Sequence, residues 1–143
     1  MGVENWPDGS YFRGNYVAGQ KKGFGRWVWT DESSYEGNWD ADQIAGFGIY
    51  TWADGRVYQG EYLRGKMDGF GHYKYADDTE YQGLYVRDKR QGYGILSKPD
   101  GSTYSGSWMG GERHGFGTTV SSEGVAKFGL YFQGKMVAKF TDD

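Results

Sequence analysis

The chain contains no cysteine and only two prolines among its 143 residues. The lack of cysteine excludes disulfides and thiolate metal ligands, and it fits a reducing compartment. No apolar run approaches the roughly 20 residues that a membrane-spanning helix needs, and the first ten residues lack the basic and apolar regions of a secretory signal. We therefore expect a cytoplasmic protein that is neither secreted nor transmembrane.

Leucine, isoleucine and valine are also scarce, so a conventional aliphatic core cannot be built. In their place the sequence has 26 glycines and an aromatic content of 19%. Because the glycines are regularly spaced and prolines are few, disorder is a poor explanation of this composition. The interior must consist of aromatic rings packed against glycine.

Signals for catalysis, metal binding and nucleic-acid binding are weak. The net charge of −3 argues against a nucleic-acid binder. The two histidines, His72 and His114, occupy non-equivalent positions in different copies of the repeat described below, and no His or Cys cluster suits a metal. We expect no enzyme activity, no catalytic residues, no metal and no cofactor.

The sequence repeats with a period of 23 residues. Each copy has the pattern aromatic-x-Gly-x-aromatic, six variable residues, Gly-aromatic-Gly, and then alternating rings before an Asp. A fixed period of this size indicates a repeat architecture. We interpret 1–143 as one domain with a half repeat at 3–11 and a degenerate repeat at 127–143. The five full repeats between them are 12–34, 35–57, 58–80, 81–103 and 104–126.

Each copy predicts a β-hairpin. In the first copy the strands lie near 11–16 and 24–29, joined by a six-residue loop at 17–22. Asp-Gly pairs between copies, as at 8–9 and 54–55, predict tight turns. Short connections require antiparallel pairing, so we predict an all-β fold: one elongated, single-layer, rolled or twisted antiparallel sheet. About twelve strands at ~4.8 Å each would make it on the order of 55 Å long.

The recurring glycines inside these strands indicate a bend, a bulge or a close approach of a ring to bare backbone. The predicted stacking rings are the second aromatic of each copy and the last ring of its second strand. A branched side chain on such a glycine would displace the ring, so Gly60→Val and Gly83→Val are predicted to destabilise the protein strongly.

These repeats resemble the MORN repeat (membrane occupation and recognition nexus). The copy at 58–80 has Tyr-x-Gly-x-Tyr and then Gly-Phe-Gly-x-Tyr-x-Tyr-x-Asp, and the likeness extends over about 12–131. It implies a rolled sheet with one hairpin per repeat and a groove lined by the aromatic face. Family members act mostly as scaffolds and protein-interaction modules, many in the cytoskeleton, in cilia and flagella or on organelles, and some are reported to bind acidic lipids.

The predicted stacking rings are also our candidates for a partner-binding groove. They are Tyr16, Trp29, Trp39, Trp52, Tyr62, Tyr75, Tyr85 and Trp108. A concave row of rings could hold an extended peptide or a helix. The same rings could instead stack only to form the core of the sheet, and the sequence is compatible with both.

The two rims of the predicted sheet differ in charge. The six-residue loops place nine basic residues against five acidic ones at one rim, and the opposite rim has nine acidic residues against Arg56 alone. The basic rim comprises Lys21, Lys22, Arg64, Lys66, Arg87, Lys89, Arg90, Arg113 and Lys135. It could meet an acidic partner or anionic lipid, or it could simply be solvated. Asp at the other rim is favourable turn chemistry.

Three functional hypotheses follow. The first is a non-enzymatic scaffold or structural subunit that binds a protein partner in the groove or along its rims, within a larger cytoskeletal, ciliary or organelle-associated assembly. The second is a peripheral binder of anionic membranes that uses the basic rim. The third is a homodimer, because open edge strands present unpaired backbone groups to another copy.

Overall fold

A computed structural model describes residues 1–140, and within them it contains 13 β-strands and no helix, hence no helix able to cross a membrane. Each strand pairs antiparallel with its neighbours in sequence, so one open sheet runs from β1 to β13. The strands are β1 Gly2–Asn5, β2 Tyr11–Val17, β3 Gln20–Val28, β4 Ser34–Asp40, β5 Gln43–Thr51, β6 Val57–Leu63, β7 Lys66–Lys74, β8 Glu80–Val86, β9 Lys89–Ser97, β10 Thr103–Met109, β11 Glu112–Val120, β12 Ala126–Phe132 and β13 Lys135–Phe140. The predicted all-β, single-layer sheet of hairpins is confirmed. The last three residues of the degenerate repeat at 127–143 lie outside the described residues.

The hairpin connection within each copy is a two-residue turn, so the predicted six-residue loop is wrong. In the first copy β2 ends at Val17 and β3 begins at Gln20. The two turn residues, Ala18 and Gly19, have φ values of 51° and 81°. Positive φ at both central positions matches the right-handed twist of paired strands. The variable residues after the turn are therefore strand rather than loop.

A β-bulge follows each of these turns, and the first glycine of Gly-aromatic-Gly forms it. Gly14 pairs with Gly25, but the next pair is Tyr16 with Lys21, so β3 has two extra residues. Gly23 absorbs the irregularity at φ 85°. Gly46, Gly69, Gly92 and Gly115 repeat this positive φ in the following copies.

The second glycine of the motif serves a different purpose, which is to let a ring lie on the backbone. Gly60 pairs with Gly71 across β6 and β7, and the fully buried Tyr58 ring covers both. A Cβ on Gly71 would lie 2.5 Å from Cε1 of Tyr58. A ring over bare backbone was predicted, but the covering ring is the first aromatic of each copy, which the sequence analysis did not assign to the stacked rings.

The core is a zigzag of eleven rings, here called the buried ring row. Consecutive rings meet edge to face, with centroids 5.1–5.6 Å apart and interplanar angles of 73–87°. In order across the sheet the rings are Tyr16, Phe12, Trp39, Tyr35, Tyr62, Tyr58, Tyr85, Tyr81, Trp108, Tyr104 and Tyr131. Such contacts contribute about 0.5–1.5 kcal/mol each beyond area burial. This row provides an interior for a sheet that has only one layer.

Six rings of the buried ring row donate hydrogen bonds to backbone carbonyl groups of the sheet, namely Tyr35, Trp39, Tyr58, Tyr81, Tyr104 and Trp108. The Tyr58 hydroxyl donates to the Glu61 carbonyl at 2.9 Å, and the Trp39 indole N–H donates to the Gly25 carbonyl at 3.0 Å. Burial without such partners would cost free energy. The row is thus fixed in orientation as well as in depth.

Candidate functional site: the aromatic face and its arginines

A second line of rings runs beside the buried ring row on the same face of the sheet, and we call it the exposed ring ladder. Neighbouring centroids are 4.4–5.7 Å apart and the interplanar angles are 24–41°. Its members are Trp6, Trp27, Trp29, Tyr50, Trp52, Tyr73 and Tyr75. All except Tyr73 are only partly buried. The ladder therefore offers ring surface to solvent along most of its length, interrupted at Tyr73.

The eight rings predicted to line a groove are divided between these two lines. Trp39, Tyr62, Tyr85 and Trp108 belong to the buried ring row, with exposures of 8% or less, so they offer a partner almost no surface. They are buried because each of these rings meets the first aromatic ring of two adjacent copies edge to face.

The other four predicted rings retain exposed surface. Trp29, Trp52 and Tyr75 are ladder members, and Tyr16 lies at the open end of the buried ring row. Burial of its hydroxyl is the main cause that raises the pKa of Tyr16 to about 12, and the hydrogen bond to the Glu4 carboxylate is the second cause. The existence of a partner-binding groove stays a prediction.

Sequence reasoning left four ladder rings out of the candidate groove: Trp6, Trp27, Tyr50 and Tyr73. The signal was present, because the alternation along β3 puts Trp27 on the same face as Trp29. Tyr50 and Trp52 repeat this alternation one copy later. Counting both rings of each alternating pair would have identified the ladder.

Three residues assigned to the basic rim lie on the aromatic face instead, which corrects the sequence prediction. The Arg90 guanidinium carbon is 4.6 Å from the Trp108 ring centroid, and that of Arg113 is 5.2 Å from Tyr104. Lys21 Nζ is 4.9 Å from the Trp27 centroid. The two-residue turn places Lys21, Arg90 and Arg113 within the second strand of their hairpins, and Lys21 pairs there with Tyr16. Their side chains therefore pack over rings of the aromatic face.

The remaining basic rim is nearly balanced in charge. Six exposed basic residues stand against Asp40, Asp42, Asp68, Asp88 and Glu112. The six are Lys22, Arg64, Lys66, Arg87, Lys89 and Lys135. Asp42 and Asp88 also accept backbone hydrogen bonds, from Lys21 and Met67. Contact with anionic lipid through this rim stays a prediction, and the rim has less net positive charge than the sequence analysis assigned to it.

Carboxylates at the opposite rim stabilise the turns between copies. Asp8 accepts hydrogen bonds from the hydroxyl and backbone N–H of Ser10, and these hold its pKa below the usual value. Asp31 and Ser33 repeat the arrangement with the same effect on the pKa of Asp31. The acidic rim is thus explained by turn chemistry.

The reverse face of the sheet carries a row of exposed rings that sequence reasoning missed. They come from the middle of each Gly-aromatic-Gly, whose flanking glycines belong to the other face. The row comprises Phe24, Phe47, Phe70, Tyr93 and Phe116, each 51–58% exposed. This back-face row provides a natural comparison for tests of the ladder.

No metal site is found in the part of the chain that the structure describes. No group of three or more His, Cys, Asp or Glu residues there is placed to hold an ion. His72 Nε2 lies 2.7 Å from Glu80, while His114 packs against Phe132.

Comparison with known proteins agrees with the repeat pattern. The MORN repeat model matches residues 12–34, 35–55, 58–80, 81–103 and 104–125. A search of curated protein sequences finds no match. The wild-type TCP10 domain of Danio rerio CPAP has a similar fold, with a TM-score of 0.54 and 14% identity over 98% of this chain. This chain spans 66% of that structure, just under two thirds.

A second solved structure is more distant. It is the SAS-4 (dCPAP) TCP domain in complex with a proline-rich motif of Ana2 (dSTIL), from Drosophila melanogaster. Its TM-score is 0.41 at 13% identity, over 87% of this chain and 80% of that one.

Proposed function

The chain belongs to the MORN-repeat family, and we propose that it is a non-catalytic protein-interaction module that holds a partner segment against the exposed ring ladder. The observation that carries this proposal is the ladder itself. Within residues 1–140, no other part of the chain forms a second layer over it. Exposed contiguous apolar surface marks interaction sites in soluble proteins.

The ladder has the properties of a good contact surface. Its rings are already ordered by stacking, as between Trp6 and Trp27 at 4.7 Å, so binding costs little side-chain entropy. Tryptophan and tyrosine are also the side chains most often found at the energetic centre of interfaces. A partner segment lying along the ladder would bury apolar area on rigid anchors.

The family resemblance supports a scaffold within a larger cytoskeletal, ciliary or organelle-associated assembly. Association of two copies stays a prediction: the outer edges of β1 (Gly2–Asn5) and β13 (Lys135–Phe140) are unpaired in the described sheet, and edges of this kind can pair with another chain.

We expect a variant that carries Trp29→Ser, Trp52→Ser and Tyr75→Ser to lose its protein partners. The fold should tolerate these changes, because Ser121 and Lys98 occupy the equivalent positions in later copies. Stoichiometric partners captured from the native source by the wild-type protein should fall at least about tenfold, since each lost ring contact is worth about 1 kcal/mol or more.

The matched control carries Phe47→Ser, Phe70→Ser and Tyr93→Ser, which removes three rings from the back-face row. It should capture the same partners as the wild type. Equal capture by the ladder variant, or loss of the partners only in the back-face control, would contradict the proposal.

A further inference from the structure

The exposed ring ladder stops after Tyr75. The equivalent positions hold Leu96 and Lys98 in the fourth copy, and Thr119 and Ser121 in the fifth. Because these side chains leave the face partly unfilled, two clefts of about 430 and 470 Å³ open beside them. Leu96 lines both, so these C-terminal clefts continue the line of the ladder.

One arginine lines each of the C-terminal clefts. Arg90 belongs to the first and Arg113 to the second. Both guanidinium groups lie over rings of the buried ring row, and among residues 1–140 neither arginine forms an ion pair. A guanidinium that lies over a ring can still donate its N–H groups to a planar anion such as a carboxylate.

The other charged groups of the clefts balance one another, so the positive charge of the two arginines is not cancelled. Lys98 and Lys127 line the second cleft, and the acidic lining residues are Asp77 and Glu123. Arg56 lines the first cleft but is ion-paired with Asp54 at 2.8 Å. Four cations without a described carboxylate partner therefore face two carboxylates, in a protein whose net charge is −3. Charge complementarity favours an acidic ligand.

We infer that the C-terminal clefts bind an acidic, extended segment of the partner protein, with its carboxylates on Arg90 and Arg113. The inference rests on the proposed function and adds the chemistry of the partner. Arg90 and Arg113 lie in β9 and β11, two strands apart, which is about 9.6 Å at the usual strand spacing. A polyproline II segment advances about 3.1 Å per residue, so carboxylates three residues apart meet both arginines.

The position of these arginines distinguishes a peptide from a lipid surface. Both arginines are half-buried on the face of the sheet, whereas Lys22 and Lys89 are exposed at the rim. A flat headgroup layer would contact the rim first. A narrow chain lying along the clefts reaches the arginines directly.

The test measures binding of a synthetic peptide of four Pro-Pro-Glu units to the full chain by calorimetry, with Pro-Pro-Gln units as the uncharged comparison. The variant is Arg90→Met with Arg113→Met, which the fold should accept because Met67 and Met136 occupy the equivalent positions. The control, Lys22→Met with Lys89→Met, removes the same charge from the rim. We expect the arginine variant to bind the Glu peptide about a hundredfold more weakly, about tenfold for each charged hydrogen-bonding partner. The control and the wild type should bind it alike.

Equal weakening in both variants, or no preference of the wild type for the Glu peptide over the Gln peptide, would overturn the inference. So would arginine-dependent sedimentation with phosphatidylserine vesicles in the absence of peptide binding, because it would assign the clefts to a lipid. The proposed function fails separately: it fails when the ladder variant still captures the partners, whatever the peptide does.

Discussion

Gly60→Val is expected to lower the free energy of unfolding by at least about 3 kcal/mol, because it overpacks the core on three sides at once. A Cβ at this position would lie 2.5 Å from Gly71 Cα, 2.6 Å from the Phe70 carbonyl oxygen and 2.7 Å from the Tyr58 hydroxyl. Two of these atoms are backbone and cannot rotate away. Gly83→Val should behave alike, since its Cβ would lie 2.5 Å from Gly94 Cα.

Thermal unfolding followed by circular dichroism measures this effect, and we expect the melting temperature to fall by about 10 °C or more. The control is Gly65→Asn, at a turn where φ is 79° and where an added Cβ would have no neighbouring atom within 4 Å. Asn tolerates that conformation, so its cost should be about 1 kcal/mol or less. Melting of Gly60→Val within a degree or two of the wild type would refute the packing of Tyr58 on Gly60 and Gly71.

The second large effect is expected at high pH, because the core consists mainly of tyrosines. Burial raises the pKa of Tyr35 and Tyr81 to about 12, and it raises those of Tyr58, Tyr62 and Tyr85 as well. A folded-state pKa above the unfolded value of about 10 means that stability is complete below pH 10. It is lost as the pH rises from 10 through 12, at about 1.4 kcal/mol per pKa unit for each ring.

Tyrosinate absorbance near 295 nm and circular dichroism, recorded together, check this prediction. The part of the absorbance change that comes from the buried tyrosines should coincide with the loss of the β-sheet signal, in one cooperative transition between about pH 10 and 12. The control is Tyr35→Phe with Tyr81→Phe, which copies Phe12 of the first repeat and should move the transition to higher pH. Ionisation of all 13 tyrosines near pH 10 with the sheet intact would show that these phenols are not buried.

The repeat pattern was sufficient to predict the strands and their antiparallel order. A 23-residue period with Asp-Gly at the copy boundary, as at 54–55, permits only tight connections, and therefore hairpins. The turn within each copy was mispredicted because its flanking residues vary and show no alternation. Two glycines that look alike in sequence also differ in purpose: Gly69 supplies positive φ at a bulge, while Gly71 lies under a ring.

The sequence predicted which types of residue form the site, but not how deeply each side chain is buried. Nothing in the sequence distinguishes Trp39, which is 6% exposed, from Trp29, which keeps a solvent-facing surface. The difference arises because the Trp39 ring is wedged edge to face between Phe12 and Tyr35. Likewise, the charge of Arg90 suggested a solvated loop, and only the bulge and the two-residue turn place it over Trp108.

Hydroxyl-radical footprinting with mass spectrometry most directly tests the central claim that one face of a single-layer sheet keeps its rings available to a partner. In the free protein, Trp29, Trp52 and Tyr75 should be oxidised readily, while the fully buried Tyr35 and Tyr58 should be protected. Addition of a captured partner should then protect the first group and leave the second unchanged. Equal protection of both groups in the free protein would contradict the claim, because it would mean that the ladder is already covered.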